Sequence, residues 1–432
     1  MTAPDGGTPG VRADFVLIHA RELITCAGPA PRRGAEQSQI GAVPDGALAA
    51  LDGRIVFAGP SAALANSVTV LPHARVHDLR GRTVLPGFVD PHTHAVFAGD
   101  RRSELRRRLH GETYAQIAAS GGGILETVRA TREAGEGALI DAARARLDEM
   151  LACGTTTCEI KSGYGLDLES ELKILRAAAA LGREHPISIV PTFLGAHELP
   201  PEYRHQRQAY VDLVCERMIP AVAAENTAAW CDVFCETGVF TPDESKRILE
   251  AGLRAGLAAR IHADELGPSG GSLVAAAVGA RSADHLVFVP DDGIDAMARA
   301  GVTATLLPSA AFYLKLGRFA PARQLIARGV PVALATDVNP GGGFSPSMPF
   351  AMALACFRME MTFEEALTSA TINAAWSIDR AADAGSLEPG KMADAVVVRG
   401  DAVDLLRVGA DAIAAVVKQG RTVYGRLETA GQ

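Results

Sequence analysis

The chain has 432 residues, 48% of them hydrophobic, with a formal net charge of −8. That length exceeds one small domain and suits a large barrel with a satellite. The acidic balance, with no aromatic-interleaved basic stripe, excludes a nucleic-acid partner, and no apolar run approaches the roughly 18–20 residues that span a bilayer.

The first ten residues, Met1-Thr-Ala-Pro-Asp-Gly-Gly-Thr-Pro-Gly, lack an apolar h-region and read as a loose tail rather than a signal peptide. Residues 14–18, 47–59 and 74–81 read as short, Gly-punctuated strands and hairpins. Residues 391–398 and 414–424 have the same texture, and Gly420-Arg-Thr-Val-Tyr-Gly echoes Gly53-Arg-Ile-Val-Phe-Ala-Gly. Both ends, 1–82 and 385–432, are therefore expected to share one small β-sandwich.

Between them, over 83–384, apolar runs alternate with helix-period segments such as 168–181 and 242–255. The runs are 84–89, 156–161, 188–194, 232–236, 259–262, 283–285, 302–307 and 332–336. Eight β/α units in succession predict an α/β fold, a (β/α)8 TIM-like barrel with its chemistry at the C-terminal ends of the strands. The seven cysteines are scattered and none forms Cys-x-x-Cys. Free thiols and a reducing cytoplasm are expected.

The first run ends in Asp90-Pro-His92-Thr-His94. Residues two apart on a strand point the same way, so His92 and His94 leave it side by side as half of a metal site. Of eleven histidines, His92, His94, His197, His262 and His285 fall at or just past a strand end, and Asp337 follows the eighth strand. His92, His94, His262 and Asp337 make the best ligand set for one catalytic ion with an open position for water. His285 and Glu265 remain beside it for proton transfer and substrate polarisation.

These residues resemble the amidohydrolase superfamily and, within it, the imidazolonepropionase family. The resemblance rests on Pro91-His-Thr-His-Ala-Val-Phe-Ala-Gly-Asp-Arg101, Glu159-Ile-Lys-Ser-Gly-Tyr164-Gly-Leu and Phe193-Leu-Gly-Ala-His197. It continues in His262-Ala-Asp-Glu265-Leu, Ser282-Ala-Asp-His285 and Thr336-Asp-Val-Asn339-Pro-Gly341, so it spans the whole barrel. It implies hydrolysis of 4-imidazolone-5-propanoate, a small molecule, to N-formimidoyl-L-glutamate. It also implies one Zn2+ or Fe3+ ion per chain, held by His92, His94, His262 and Asp337, and a homodimer.

By the same resemblance Arg101, Tyr164 and His197 recognise the substrate, with Arg101 meeting its propionate through two parallel hydrogen bonds. Glu265 contacts the ring nitrogens, and Asn339 and Gly341 line the product side. Asp337, His285 and Glu265 share the proton transfers, in an order left open. The family usually offers Ser or Thr after Asn-Pro-Gly. Here Gly342 and Gly343 follow, so that hydroxyl is absent unless Ser345 reaches in.

Lys161 ends the second run, where two-metal members of the superfamily carry a carboxylated lysine. A single-metal family favours a pocket or structural lysine instead. Hydantoinases, dihydroorotases and nucleobase deaminases share the ligands, but Arg101, Tyr164 and the Asp-Val-Asn-Pro-Gly block favour an anionic imidazolone. A metal-free scaffold would lack the ligands, and all four are present.

Overall fold

The computed structural model describes residues 11–113, 116–117 and 120–429, so the expected N-terminal tail lies outside the described residues. The chain opens with β1 (Val11–Ile24), β2 (Ala42–Leu51), β3 (Arg54–Pro60), β4 (Val68–Asp78) and β5 (Arg82–Pro86). The barrel follows as β6 (Phe88–Asp90), β7 (Thr155–Lys161), β8 (Ser188–Ala196) and β9 (Trp230–Cys235), then β10 (Ala258–Ala263), β11 (Ser282–His285), β12 (Thr303–Leu306) and β13 (Val332–Leu334). The chain returns to the first sheet with β14 (Ala395–Arg399), β15 (Ile413–Lys418) and β16 (Arg421–Gly425).

Strands β6 to β13 pair in sequence order, every pair parallel. Helices cover the outside, so the strands are buried on both faces; β7 has no exposed residue. The helices begin where local chemistry allows. Thr241 and Glu244 form a capping box ahead of Pro242–Arg254, with Pro242 in its first turn, and the Asp167 side chain caps Leu168–Glu184.

The seam between β13 and β6 closes just beyond the strand ends. Thr336 N donates to Asp90 Oδ1 at 3.1 Å, Asp337 N to the His92 carbonyl at 3.1 Å, and His94 N to the Val338 carbonyl at 2.8 Å. The backbone of the segments that carry His92, His94 and Asp337 is thus part of the barrel wall.

The terminal strands form one eight-stranded sheet in the order β16-β15-β14-β5-β1-β2-β3, with β4 paired to β1. Phe15, Leu17 and Leu48 of the N-terminal strands share a core with Val397, Ala415 and Val417 of the C-terminal ones. The buried Lys418 ammonium fastens this sheet to the barrel floor, reaching Asp394 Oδ2 at 2.6 Å, the Thr156 carbonyl at 2.9 Å and Ser188 Oγ at 2.9 Å.

One expected element divides. The run 84–89 reads as a single strand, but its first half is β5, in the terminal sheet beside β14 and β1, and only β6 enters the barrel. The chain crosses at Pro86-Gly87. Proline has no N–H to continue a ladder, and a Cβ at Gly87 would stand 2.3 Å from Thr156 Oγ1. The approach of β7 therefore forbids any side chain at the crossing.

Candidate active site

All five rim histidines and Asp337 converge at the C-terminal ends of the barrel strands. His92 and His94 follow β6, His197 follows β8, His262 lies in β10, His285 ends β11 and Asp337 follows β13. His94 Nε2 and His262 Nε2 are 3.4 Å apart, and Asp337 Oδ1 lies 3.7 Å from His92 Nε2 and 3.8 Å from His94 Nε2. Four atoms that share one tetrahedral ion at ~2.1 Å stand roughly 3.4 Å from each other. His92 Nε2 is buried without a hydrogen-bond partner, as is His94 Nδ1. Leaving such an atom unmet costs about 1–3 kcal/mol, and a cation held by these four side chains meets the first of them. These spacings suit one ion, and His285 (with His92 and His262) and His197 (with His94 and His262) fall in adjoining groups of the same kind.

Backbone strain aims two of these side chains. His285 has φ +74° and Asp337 φ +57°, left-handed values that non-glycine residues adopt rarely. Such outliers persist where surrounding structure enforces them.

Under the histidines lies a floor of five fully buried charges: Glu159, Lys161, Asp232, Arg260 and Asp284. Lys161 Nζ reaches Glu159 Oε1 and Asp232 Oδ2, each at 2.7 Å, and Arg260 Nη2 reaches Asp284 Oδ2 at 3.1 Å. The carboxylates in turn hold two of the histidines. His92 Nδ1 donates to Asp284 Oδ2 at 2.7 Å, and His262 Nδ1 lies 3.1 Å from Asp232 Oδ2. Each ring thereby carries its proton on Nδ1 and turns Nε2 to the centre.

Burial alone pushes the Asp232 and Asp284 carboxyls up. His262 and Lys161 outweigh it at Asp232, as Arg260 and Lys161 do at Asp284, and both stay below the usual carboxylate range. Lys161 is likewise pushed down by burial, but Asp232 and Glu159 hold it above its ordinary value. Its two short contacts to Glu159 and Asp232 suit Lys161 to the place of a structural counter-ion.

Above the floor a small cleft opens. Arg101, Tyr164, His197, Glu265, Asn339, Gly341 and Gly342 all line it, beside His94, His262, His285 and Asp337. Arg101 is fixed by Glu104, whose Oε2 accepts from both Nε and Nη2 at 2.8 Å. Its Nη1 lies along Gly341, where a Cβ would come within 2.3 Å. His197 stacks on His94 at 4.9 Å and donates from Nδ1 to the Gly163 carbonyl at 3.0 Å.

Two sequence expectations change in detail. Asn339 lines the cavity, but its side chain is engaged within its own loop. Oδ1 accepts from Gly341 N and Gly342 N at 2.7 and 2.6 Å, and Nδ2 donates to the Asp337 carbonyl at 2.8 Å. Ser345 is not among the lining residues; its hydroxyl accepts from Ser347 N. Gly343 admits no substitute, since a Cβ there would fall 1.4 Å from the Asp337 carbonyl oxygen.

Burial sets the protonation states. It pushes His92, His94 and His285 well below the ordinary imidazole range and His197 down to about 3, so these four rings are neutral. It pushes Asp337 up to about 7 and Glu265 well above the usual carboxylate range, the latter helped by the nearby Asp337. Glu265 Oε1 lies 3.5 Å from His285 Nδ1. Such displaced values mark groups suited to proton transfer.

The amidohydrolase family profile matches residues 83–425. An imidazolonepropionase from Symbiobacterium thermophilum is 50% identical over 413 residues, 95% of this chain and 97% of that protein. One from Geobacillus kaustophilus is 51% identical over 381 residues, 88% of this chain and 90% of that protein. The chain belongs to the imidazolonepropionase family of amidohydrolases. At the level of fold alone, it superposes on a zinc-containing adenosine deaminase from Xanthomonas campestris with TM-score 0.71 at 17% identity, covering 98% of this chain and 96% of that one.

In an amidohydrolase, a buried cluster of histidines with an aspartate at the strand ends is a divalent-metal site. This family member also carries residues that the sequence reading did not single out. Asp284 and Asp232 hold His92 and His262, Arg260 in turn holds Asp284, and Glu236 shapes the loop after β10 by accepting from Glu265 N and Leu266 N at 3.1 and 2.8 Å. A signal existed for the two aspartates and the arginine. A charge in the interior of an apolar barrel strand is buried, and buried charges need partners.

Proposed function

We propose that this imidazolonepropionase family member hydrolyses 4-imidazolone-5-propanoate to N-formimidoyl-L-glutamate. One observation supports the reading: Arg101, a cation for the propionate, lines the same cleft as His94, His262, His285 and Asp337. One Zn2+ or Fe3+ ion is assigned to His92, His94, His262 and Asp337, a donor set that suits either. A bound ion of this kind lowers the pKa of water to about 7 and so supplies hydroxide at neutral pH.

Arg101 anchors the propionate and sets the ring over the ligands. Neutral His285 donates a hydrogen bond to the ring carbonyl oxygen and stabilises its developing negative charge. Asp337 takes the proton of the attacking water. The oxygen bonds to C4, the C4–N3 bond breaks, and Asp337 returns the proton to N3. C4 stays on C5 as the new carboxyl group, which gives its proton to solvent, while Glu265 holds the N–C–N unit that becomes the formimidoyl group.

The remaining assignments follow the family resemblance. We place the protein in the cytoplasm, in keeping with seven free cysteines. No helix among the described residues is long and apolar enough to cross a membrane. The protein is assigned as a homodimer of three-part chains, a barrel over 83–384 flanked by 1–82 and 385–432.

The test is turnover of 4-imidazolone-5-propanoate, generated in place from urocanate. Loss of its ultraviolet absorbance, with appearance of N-formimidoyl-L-glutamate and abolition by chelator, is the expected result. Metal-replete protein without turnover moves the substrate to another cyclic amide.

A further inference from the structure

The loop after β7 is built round a carboxylate that the chemistry above does not use. Glu171, in the first turn of helix Leu168–Glu184, is fully buried. Its Oε2 accepts from Gly163 N at 2.9 Å, and its Oε1 accepts from Gly165 N at 2.7 Å and Leu166 N at 2.8 Å. The Ser162 hydroxyl donates to the same carboxylate and accepts from Leu194 N, on β8, at 2.9 Å. Three amides on both sides of Tyr164 therefore converge on one anion, as in a backbone nest.

The carbonyls of this turn are held as firmly. Gly163 O accepts from His197 Nδ1 at 3.0 Å, Gly165 O from Arg132 Nε at 2.6 Å, and Leu166 O from the Tyr210 hydroxyl at 3.3 Å. Gly163 sits at φ +105°, where a Cβ would stand 2.9 Å from His197 Nδ1, and Leu166 adopts φ +55°. The backbone is left-handed at two of four positions, an arrangement the local sequence does not favour unaided. The bond from Nδ1 to Gly163 also fixes the His197 tautomer. Its proton is on Nδ1, so Nε2 presents a lone pair.

We propose that Glu171 is a positioning residue for substrate recognition, shaping the 163–166 turn so that Tyr164 and His197 present their polar atoms to the ligand together. The proposal rests on the assignment of Tyr164 and His197 to substrate. It adds a chemical requirement: His197 acts as a hydrogen-bond acceptor and selects a ligand with an N–H, such as a cyclic amide or amidine nitrogen. Glu171 itself touches neither substrate nor metal ligand.

The experiment compares Glu171→Gln, Tyr164→Phe, His197→Asn and the Glu171→Gln/Tyr164→Phe double variant, each as zinc-loaded enzyme acting on 4-imidazolone-5-propanoate. A carboxamide puts an N–H against backbone donors and opens the turn. The expected result is a KM raised roughly 10-fold with kcat within about twofold of the parent. Zinc affinity, read by competition with a chromophoric chelator, stays at the parent value. The double variant is no worse than the poorer single variant, because both changes spoil one contact.

Glu171→Gln at parental KM, with Tyr164→Phe raised, overturns the proposal and leaves Glu171 an anchor of its helix. If neither Tyr164→Phe nor His197→Asn moves KM, the substrate assignment falls first and the proposal with it. Should Glu171→Gln not fold, Ser162→Ala replaces it, removing only the hydroxyl between Glu171 and β8. A KM rise of roughly threefold or more there supports the proposal, and an unchanged KM overturns it.

Discussion

Asp284 holds His92 from below, with Oδ2 2.7 Å from His92 Nδ1 and the same oxygen 3.1 Å from Arg260 Nη2. The carboxylate thus fixes the His92 tautomer, with its proton on Nδ1. Outer-shell partners of this kind are worth about 10- to 100-fold in metal affinity. Asp284→Ala is expected to weaken zinc binding by that factor in a chelator competition. Parental affinity in the variant would show that His92 needs no orienting partner.

Metal affinity should also report the Asp337 carboxyl. Burial pushes it up to about 7, whereas His92 and His94 are pushed well below the ordinary imidazole range. A ligand must be deprotonated to bind. Below pH 7 the ion therefore competes with one proton at Asp337 and with none at those two histidines. Apparent zinc affinity is expected to be flat above pH 7 and to fall about tenfold per unit below it. A flat profile from pH 5 to 8 refutes this, and Asp337→Asn should abolish the slope.

Lys161 neutralises a floor that otherwise sets three carboxylates against Arg260 alone. Removing one partner of a buried ionic network typically costs 3–5 kcal/mol. Lys161→Met is expected to lose about that much in urea unfolding, and metal analysis of the parent should find one ion per chain. Two ions would return Lys161 to the role of a carboxylated bridge.

Gly342 can be tested in the opposite direction. A Cβ there would meet the Leu314 side chain at 3.4–3.6 Å, an ordinary contact, so serine fits without moving the loop. A new hydrogen bond to substrate is worth about 0.5–1.5 kcal/mol. Gly342→Ser should then lower KM by roughly 2- to 10-fold at constant kcat. Unchanged kinetic constants would deny the position any part in binding.

Arg101 meets Glu104 with Nε and Nη2, which leaves Nη1 on the Gly341 side. Lysine can offer one of these contacts but not both. Hydrogen bonds to charged groups are worth about 1.5–3 kcal/mol, so Arg101→Lys should lower kcat/KM by roughly 10- to 100-fold. The loss should fall mostly on KM, because the propionate is remote from C4. A loss confined to kcat would place Arg101 at the reacting carbon instead.

The legible part of this protein was the part governed by short-range periodicity. His92 and His94 fall just past the end of β6 rather than on it, yet both still reach the rim, and eight apolar runs could be counted because parallel barrel strands are buried on both faces. The division of 84–89 was hidden, since β5 and β6 are equally apolar and only the approach of Thr156 shows where the chain must change sheets. Asn339 was expected to line the pocket, and it does, but how its side chain is bonded could not be read from the string. In three dimensions its amide is consumed by Gly341, Gly342 and Asp337.

By itself the sequence determined the barrel and the order of the histidines and Asp337 along its rim, because each is written in spacings of a few residues. Only the tertiary structure decided what those residues are electrically. Lys161, Asp232, Arg260 and Asp284 come from four different strands. Their mutual distances, and the burial that neutralises four histidines and lifts Asp337 to about 7, exist only once the barrel has closed. Glu171 belongs with them: its three amide partners are close in the chain, but the turn that gathers them is left-handed and depends on Arg132, Tyr210 and His197 from elsewhere in the fold. Charge and strain are long-range properties, set by which elements meet rather than by which residues are neighbours.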